Sequence, residues 1–257
     1  MNYKIAFFDV DGTITSHEDG SISTKTREAI KALINKGIRV VAATGRPLSM
    51  CKDIKELGID TFITANGGYV KHKETVIHKI VLNNTIVREV YEFARTENNA
   101  LSFYTEEFSM NGVESMDILS ALQETLSLDK YPMINSLVDN QEIYLMCLFA
   151  DDETVKKYMC KFPGLSFRRW HPYVLNVLQE DVSKSVAIKK TLDYFGFNKS
   201  EAIAFGDGEN DIDMLQLVQL GISMGNGNEK LKQVANFVTK KSSEDGIEYA
   251  LKKYNII

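Results

Sequence analysis

Three apolar runs mark the first quarter of the chain, at residues 5–8, 38–43 and 61–64, and each ends abruptly in small or polar residues. Short apolar runs bounded by turn residues predict buried strands. Between the first two the pattern changes period. Ala29, Ile30, Leu33 and Ile34 fall on one face, which predicts a helix from Ser23 or Thr24 to about Lys36, stopped by Gly37. Pro47 suits the first turn of another helix, running to Leu57 and ended by Gly58. This strand–helix rhythm predicts a parallel sheet. The third run leads into Ala65-Asn66-Gly67-Gly68, a predicted tight turn, and then into an antiparallel ribbon over 69–70 and 76–80.

The pattern changes over residues 83–180. Helices are predicted over 85–97, 116–126 and 154–162, and strands over 100–104, 108–110, 142–149, 165–170 and 173–178. Strands in adjacent pairs predict an antiparallel sheet in an α+β unit. After it the alternation returns: a helix over 183–195, a strand over 202–205, a short helix to 217, a run at 220–224, a helix from about 228, and a strand at 237–238. The expected organisation is a discontinuous α/β core, 1–82 and 181–257, with 83–180 inserted. The connections near 82 and 181 are expected to act as a hinge.

Composition narrows the function classes. The 257 residues carry a net charge of −5, so no general basic field for nucleic acid or an anionic membrane is present. Cys51, Cys147 and Cys160 are odd in number and widely spaced, which argues against a disulfide framework or zinc cage and for a reducing compartment. The N-terminus lacks a signal-peptide pattern and no apolar run approaches a membrane span. A cytoplasmic protein with no obligate protein partner is expected.

The candidate chemistry sits where the strands end, the place where open α/β sheets bind ligands. The first run ends in Asp9-Val10-Asp11-Gly12-Thr13. Two acids there can hold a hard cation and one can be a nucleophile, although Asp-x-Asp-Gly alone is also an ordinary turn. The second ends in Thr44-Gly45-Arg46, where a hydroxyl and backbone N–H groups could receive a phosphate or simply cap a helix. Lys184 opens a helix, where a cation opposes the macrodipole and hints at an anionic partner; taken alone, a lysine at a helix start is more often a solvated surface residue. The strand at 202–205 ends in Gly206-Asp207-Gly208-Glu209-Asn210-Asp211. Gly221-Ile222-Ser223-Met224-Gly225 matches a nucleophile elbow, but none of His17, His72, His78 and His171 follows the serine, so the match is rejected. No nucleotide-binding phosphate loop is present.

Taken in order, these four segments resemble the motifs of the haloacid dehalogenase-like phosphohydrolases, specifically the Cof-type sugar-phosphatase branch with a C2-type (IIB) cap. The resemblance implies an α/β fold, a Rossmann-like parallel-sheet core with an inserted α+β cap domain. It implies Mg²⁺-dependent hydrolysis of a small phosphorylated metabolite, sugar phosphates foremost, through an aspartyl-phosphate. Asp9 would be the nucleophile, Asp11 the general acid and base, and Lys184 a ligand of both nucleophile and phosphate. Val10, Thr44, Gly45 and Asn210 would also bind phosphate. Mg²⁺ would take Asp9, the Asp11 carbonyl and Asp207, with Asp211 orienting metal-bound water or Lys184. Asn66 is a candidate substrate contact, as are Arg168, Arg169, Trp170 and His171, grouped around a turn in the cap. A phosphomutase built on the same core is the nearest alternative. A non-catalytic metabolite sensor is another, against which the intact Asp9, Asp11, Lys184 and Asp207 speak.

Overall fold

The computed structural model describes residues 3–135, 141–179 and 182–257 and divides into two compact units. One comprises Met1–Gly45, Cys51–Lys79 and Ser183–Ile257; the other comprises Arg46–Met50 and Ile80–Val182. Position 181, expected at the second connection, lies outside the described residues.

The first unit begins with β1 (Ile5–Phe8), α1 (Thr24–Asn35), β2 (Arg39–Ala43), α2 (Lys52–Lys55), β3 (Thr61–Thr64), β4 (Tyr69–His72) and β5 (Thr75–Lys79). Ser23 caps α1 by accepting from the Thr26 N–H. The helix expected over 47–57 is broken: one turn at Leu48–Met50 is separated from α2 by Cys51, whose φ of −106° and ψ of 26° are not helical.

The second unit contains α3 (Asn84–Glu97), β6 (Ala100–Tyr104), β7 (Phe108–Met110), α4 (Met116–Leu126), β8 (Met133–Ile134), β9 (Leu145–Phe149), α5 (Asp152–Lys161), β10 (Ser166–His171) and β11 (Val174–Leu178). Its sheet runs β10-β11-β9-β6-β7-β8 and is antiparallel except where β8 lies parallel to β7. Leu101, Phe103, Met146, Leu148, Leu175 and Val177 alternate onto one face and pack with Val87, Val90, Val155 and Tyr158. The two residues of β8 are exposed and carry no alternation, so sequence alone gives no sign of that strand. The expected strand 142–149 begins only at Leu145.

The first unit resumes with α6 (Lys184–Phe195), β12 (Ala202–Gly206), α7 (Ile212–Leu217), β13 (Leu220–Ser223), α8 (Glu229–Val234), β14 (Phe237–Val238) and α9 (Gly246–Lys253). The sheet order is β14-β13-β12-β1-β2-β3-β4-β5. All pairs from β14 to β3 are parallel; β4 and β5 form an antiparallel edge. β1 lies in the interior of this order with every residue buried, as its unbroken apolar run requires. The result is a doubly wound α/β sheet with an α+β insertion.

Candidate active site

β1 and β12 are neighbours in register, Phe8 opposite Phe205, so the residues beyond their carboxyl ends emerge side by side. Asp9 N–H donates to the Phe205 carbonyl at 2.9 Å, which extends the pairing one residue past the strand. The chain then turns sharply through Gly12, whose φ is +78°. A Cβ there would collide with the Asp207 carboxylate, so glycine serves both the turn and the close approach. Thr13 Oγ1 donates to Asp207 Oδ1 at 2.8 Å and holds that carboxylate against the first loop.

Lys184 is brought to the same point by α6, whose start is capped by Ser183. The lysine is only 1% exposed. Its Nζ donates to Asp9 Oδ1 at 2.5 Å and to Asp211 Oδ1 at 2.6 Å. This resolves the choice left by sequence: a cation set against a helix N-terminus is tolerated because two carboxylates meet it. Asp211 is fully committed. Its Oδ2 accepts from the N–H groups of Asp207 and Gly208, each at 3.0 Å.

Burial strips water from Asp9 and pushes its carboxyl well above the usual carboxylate range. Lys184 opposes that shift, while Asp211, Asp207 and Asp11 add to it. Burial acts against the charge on Lys184, but Asp211 and Asp9 hold its ammonium above the ordinary lysine value. Asp207 is pushed up to about 7 by burial and then by the charge of Asp211. Carboxylate charge therefore exceeds what one lysine neutralises. Carboxylate oxygens of Asp9, Asp207 and Asp211 lie within 4.8 Å of one another, those of Asp211 being already engaged. A hard, all-oxygen donor set with excess negative charge fits a divalent cation such as Mg²⁺.

The other expected residues distribute as follows. Val10 is buried behind the loop, and Asp11 is exposed on it. Thr44 is buried at the end of β2, its N–H donating to the Ile63 carbonyl at 2.8 Å, with Gly45 next to it. Asn210 Nδ2 donates to Asn66 Oδ1 at 3.1 Å. In the second unit, Arg169 donates to the Ala150 and Pro172 carbonyls and pairs with Asp152, and His171 pairs with Glu124 at 2.9 Å. Those two side chains brace the unit itself. Trp170, between them in β10, is 47% exposed.

One participant was missed. Asn226 Nδ2 donates to the Gly12 carbonyl at 2.8 Å and reaches Asp207 Oδ2 at 3.4 Å, while its Oδ1 accepts from the Ser242 N–H. It follows β13, so the rule that strand ends carry the site could have found it in Gly225-Asn226-Gly227. Ser223, rejected as a nucleophile, is buried and donates to the Met224 carbonyl.

An acidic centre with a buried lysine at the carboxyl ends of adjacent parallel strands is suited to holding a cation and a phosphoryl group. The sequence profile of the haloacid dehalogenase-like hydrolases matches residues 6–251. The chain is 36% identical over 259 residues, spanning all of both proteins, to "Putative phosphatase YkrA" of Bacillus subtilis. It superposes with a TM-score of 0.91 on a hypothetical protein of Geobacillus kaustophilus HTA426, 35% identical with 100% of both chains covered. It superposes at 0.82 on the subclass IIB sugar phosphatase BT4131, 32% identical over 99% of this chain and 100% of that one. The chain belongs to the haloacid dehalogenase-like hydrolase family, in its Cof-type branch, and is a phosphatase.

Proposed function

We propose that the protein hydrolyses phosphate monoesters of small metabolites, sugar phosphates foremost, through an aspartyl-phosphate formed on Asp9. The observation that carries this reading is the buried Asp9–Lys184–Asp211 array beside Asp207. Asp9 attacks phosphorus, and Lys184 holds its carboxylate in place while neutralising the phosphoryl oxygens. Asp11 gives a proton to the departing alkoxide and then takes one from the attacking water. Val10, Thr44, Gly45 and Asn210 bind the phosphoryl group. Asp9 and Asp207, with the Asp11 carbonyl, are the groups that would hold Mg²⁺, which when bound supplies positive charge to the phosphoryl oxygens. Asp211, with both oxygens already engaged, positions Lys184 and the 207–208 backbone. The inserted unit acts as the cap, and a sugar phosphatase among the structural relatives supports the substrate class.

The test is phosphate release from a panel of phosphorylated metabolites. Chelation should abolish turnover, Mg²⁺ should restore it, and Ca²⁺, with its larger and looser shell, should substitute poorly. Full activity in excess chelator removes the metal from the mechanism. Return of the phosphoryl group to a second sugar position, in place of free phosphate, identifies a mutase.

The raised carboxyl of Asp207 gives a second expectation. A carboxyl whose folded value, about 7, lies above its unfolded one favours the folded state while protonated. That contribution is lost as pH rises through 7, so the chelated protein should melt lower at pH 8 than at pH 6 on account of this group. Mg²⁺ should raise Tm more at pH 8, where no proton competes for the oxygens. Equal Mg²⁺-induced shifts at both pH values would contradict the assignment.

In the cap, Trp170, the large exposed side chain of the turn, is carried forward as a substrate contact, since Arg169 and His171 are engaged within their own unit. Trp170→Ala should reorder preference among metabolites and change hydrolysis of an aryl phosphate far less. A uniform loss across all esters would mean that Trp170 supports closure or stability instead.

A further inference from the structure

Three consecutive residues, Ala65, Asn66 and Gly67, hold left-handed backbone, with φ of +51°, +54° and +105°. Two of them are not glycine. Such a run is uncommon and persists only where the surroundings over-determine it. The surroundings here are the three segments that carry phosphate-handling groups. Asn66 N–H donates to the Thr44 carbonyl at 3.1 Å. Its Oδ1 accepts from Asn210, 144 residues further on, at 3.1 Å. Gly45 approaches the same amide so closely that a Cβ on it would stand 3.2 Å from Oδ1. A Cβ on Gly67 would collide with the carbonyl oxygen of Ser183, the cap of the helix that begins with Lys184.

We infer that Asn66 is a positioning residue for phosphoryl binding, not a substrate contact. Its side chain sets the Asn210 amide beside the Gly45 backbone, and the turn it sits in seats the start of α6. This rests on the phosphatase reading above. The turn meets every phosphate-binding segment except the first loop, and each meeting is a backbone contact or an amide–amide hydrogen bond. Its influence is therefore on the phosphoryl group, which all substrates share, and is exerted through Asn210.

A double-mutant cycle tests this with wild type, Asn66→Gly, Asn210→Ala and the double variant, all Mg²⁺-loaded. Glycine keeps the left-handed backbone and removes only the side chain. Orthophosphate affinity is measured by calorimetry, Tm by thermal melt, and kcat/KM on two esters with different leaving groups. Asn66→Gly should weaken orthophosphate binding about 5-fold, the scale of one lost hydrogen bond. Both esters should lose the same factor. In the Asn210→Ala background the Asn66 change should have no further effect on affinity. Independent, multiplying effects would overturn the inference, as would a factor that depends on the leaving group, an unchanged affinity, or a loss explained by a matching fall in Tm. A wild type that binds orthophosphate but hydrolyses no ester would sink the hydrolase reading, while the binding cycle would still decide the role of Asn66. Failure of the wild type to bind orthophosphate would overturn the inference outright.

Discussion

Asp9→Asn is expected to reduce phosphate release to background, whereas Asp11→Asn should cost about 10²–10⁴-fold. The difference follows from the role proposed for each group. An amide at position 9 has nearly the shape of the carboxylate but cannot attack phosphorus, so no covalent intermediate forms and no slower version of the path remains. In the proposed mechanism position 11 supplies a proton to the leaving group, and esters differ in how much they need it. The Asp11→Asn defect should therefore shrink for aryl phosphates, whose leaving groups depart without help. The exposure of Asp11 and the burial of Asp9 fit this division: one must exchange protons with substrate and water, the other must be held. Trapping the phosphorylated enzyme and locating the modified residue checks the assignment directly. A phosphate recovered on any aspartate other than Asp9 rules it out.

The second large effect is expected from Lys184→Met. Lys184 is the only described cation hydrogen-bonded to either Asp9 or Asp211, and all three side chains are buried. Removing one member of a buried ionic array leaves uncompensated charge, which costs about 3–5 kcal/mol. For a protein of this size that is a fall in Tm of about 10 °C. Methionine fills most of the volume, so the loss reports charge and not a cavity. Activity should fall with it, because Asp9 loses the cation that opposes the rise in its carboxyl value and holds that carboxyl in place. The melt should be followed in chelator, since a bound cation would mask part of the defect. A variant that melts within 2–3 °C, roughly 1 kcal/mol, of the parent would show that Asp9 and Asp211 tolerate one another without the lysine.

Much of this centre was legible before any coordinates. The apolar runs at 5–8, 38–43 and 202–205 became β1, β2 and β12 because a strand buried on both faces is apolar along its buried length, which in β2 starts after the exposed Arg39. Their ends carry Asp9, Thr44 and Asp207 because only there does a parallel sheet open to a ligand. Ser23, Ser183 and Gly196 set helix boundaries through local hydrogen bonds and a left-handed stop, which are properties of a few adjacent residues. Local patterns read less well where long-range packing prevailed. The break at Cys51, the two-residue β8 and the C-terminal α9 were not foreseen. β8 has no hydrophobic alternation to betray it and exists only because β7 offers an open edge.

What the sequence by itself determined is which residue types stand at the strand ends and helix starts, since periodicity and capping are local and the chemistry of the motifs rides on them. What only the tertiary structure decided is which of those groups meet. Lys184 reads as a surface lysine until α6 and β1 are placed together and its charge disappears between Asp9 and Asp211. Asn226, which no motif marks, is brought to Gly12 and Asp207 only when β13 is laid beside β12. Arg169 and His171 read as groups around an exposed turn until the fold sets Asp152 and Glu124 of their own unit beside them. Asn66 reads as a turn residue until Asn210, 144 positions away, is found on its side chain. These pairings depend on strand order and register, which arise from the summed burial of the whole chain and leave no mark at the single residues they bring into contact.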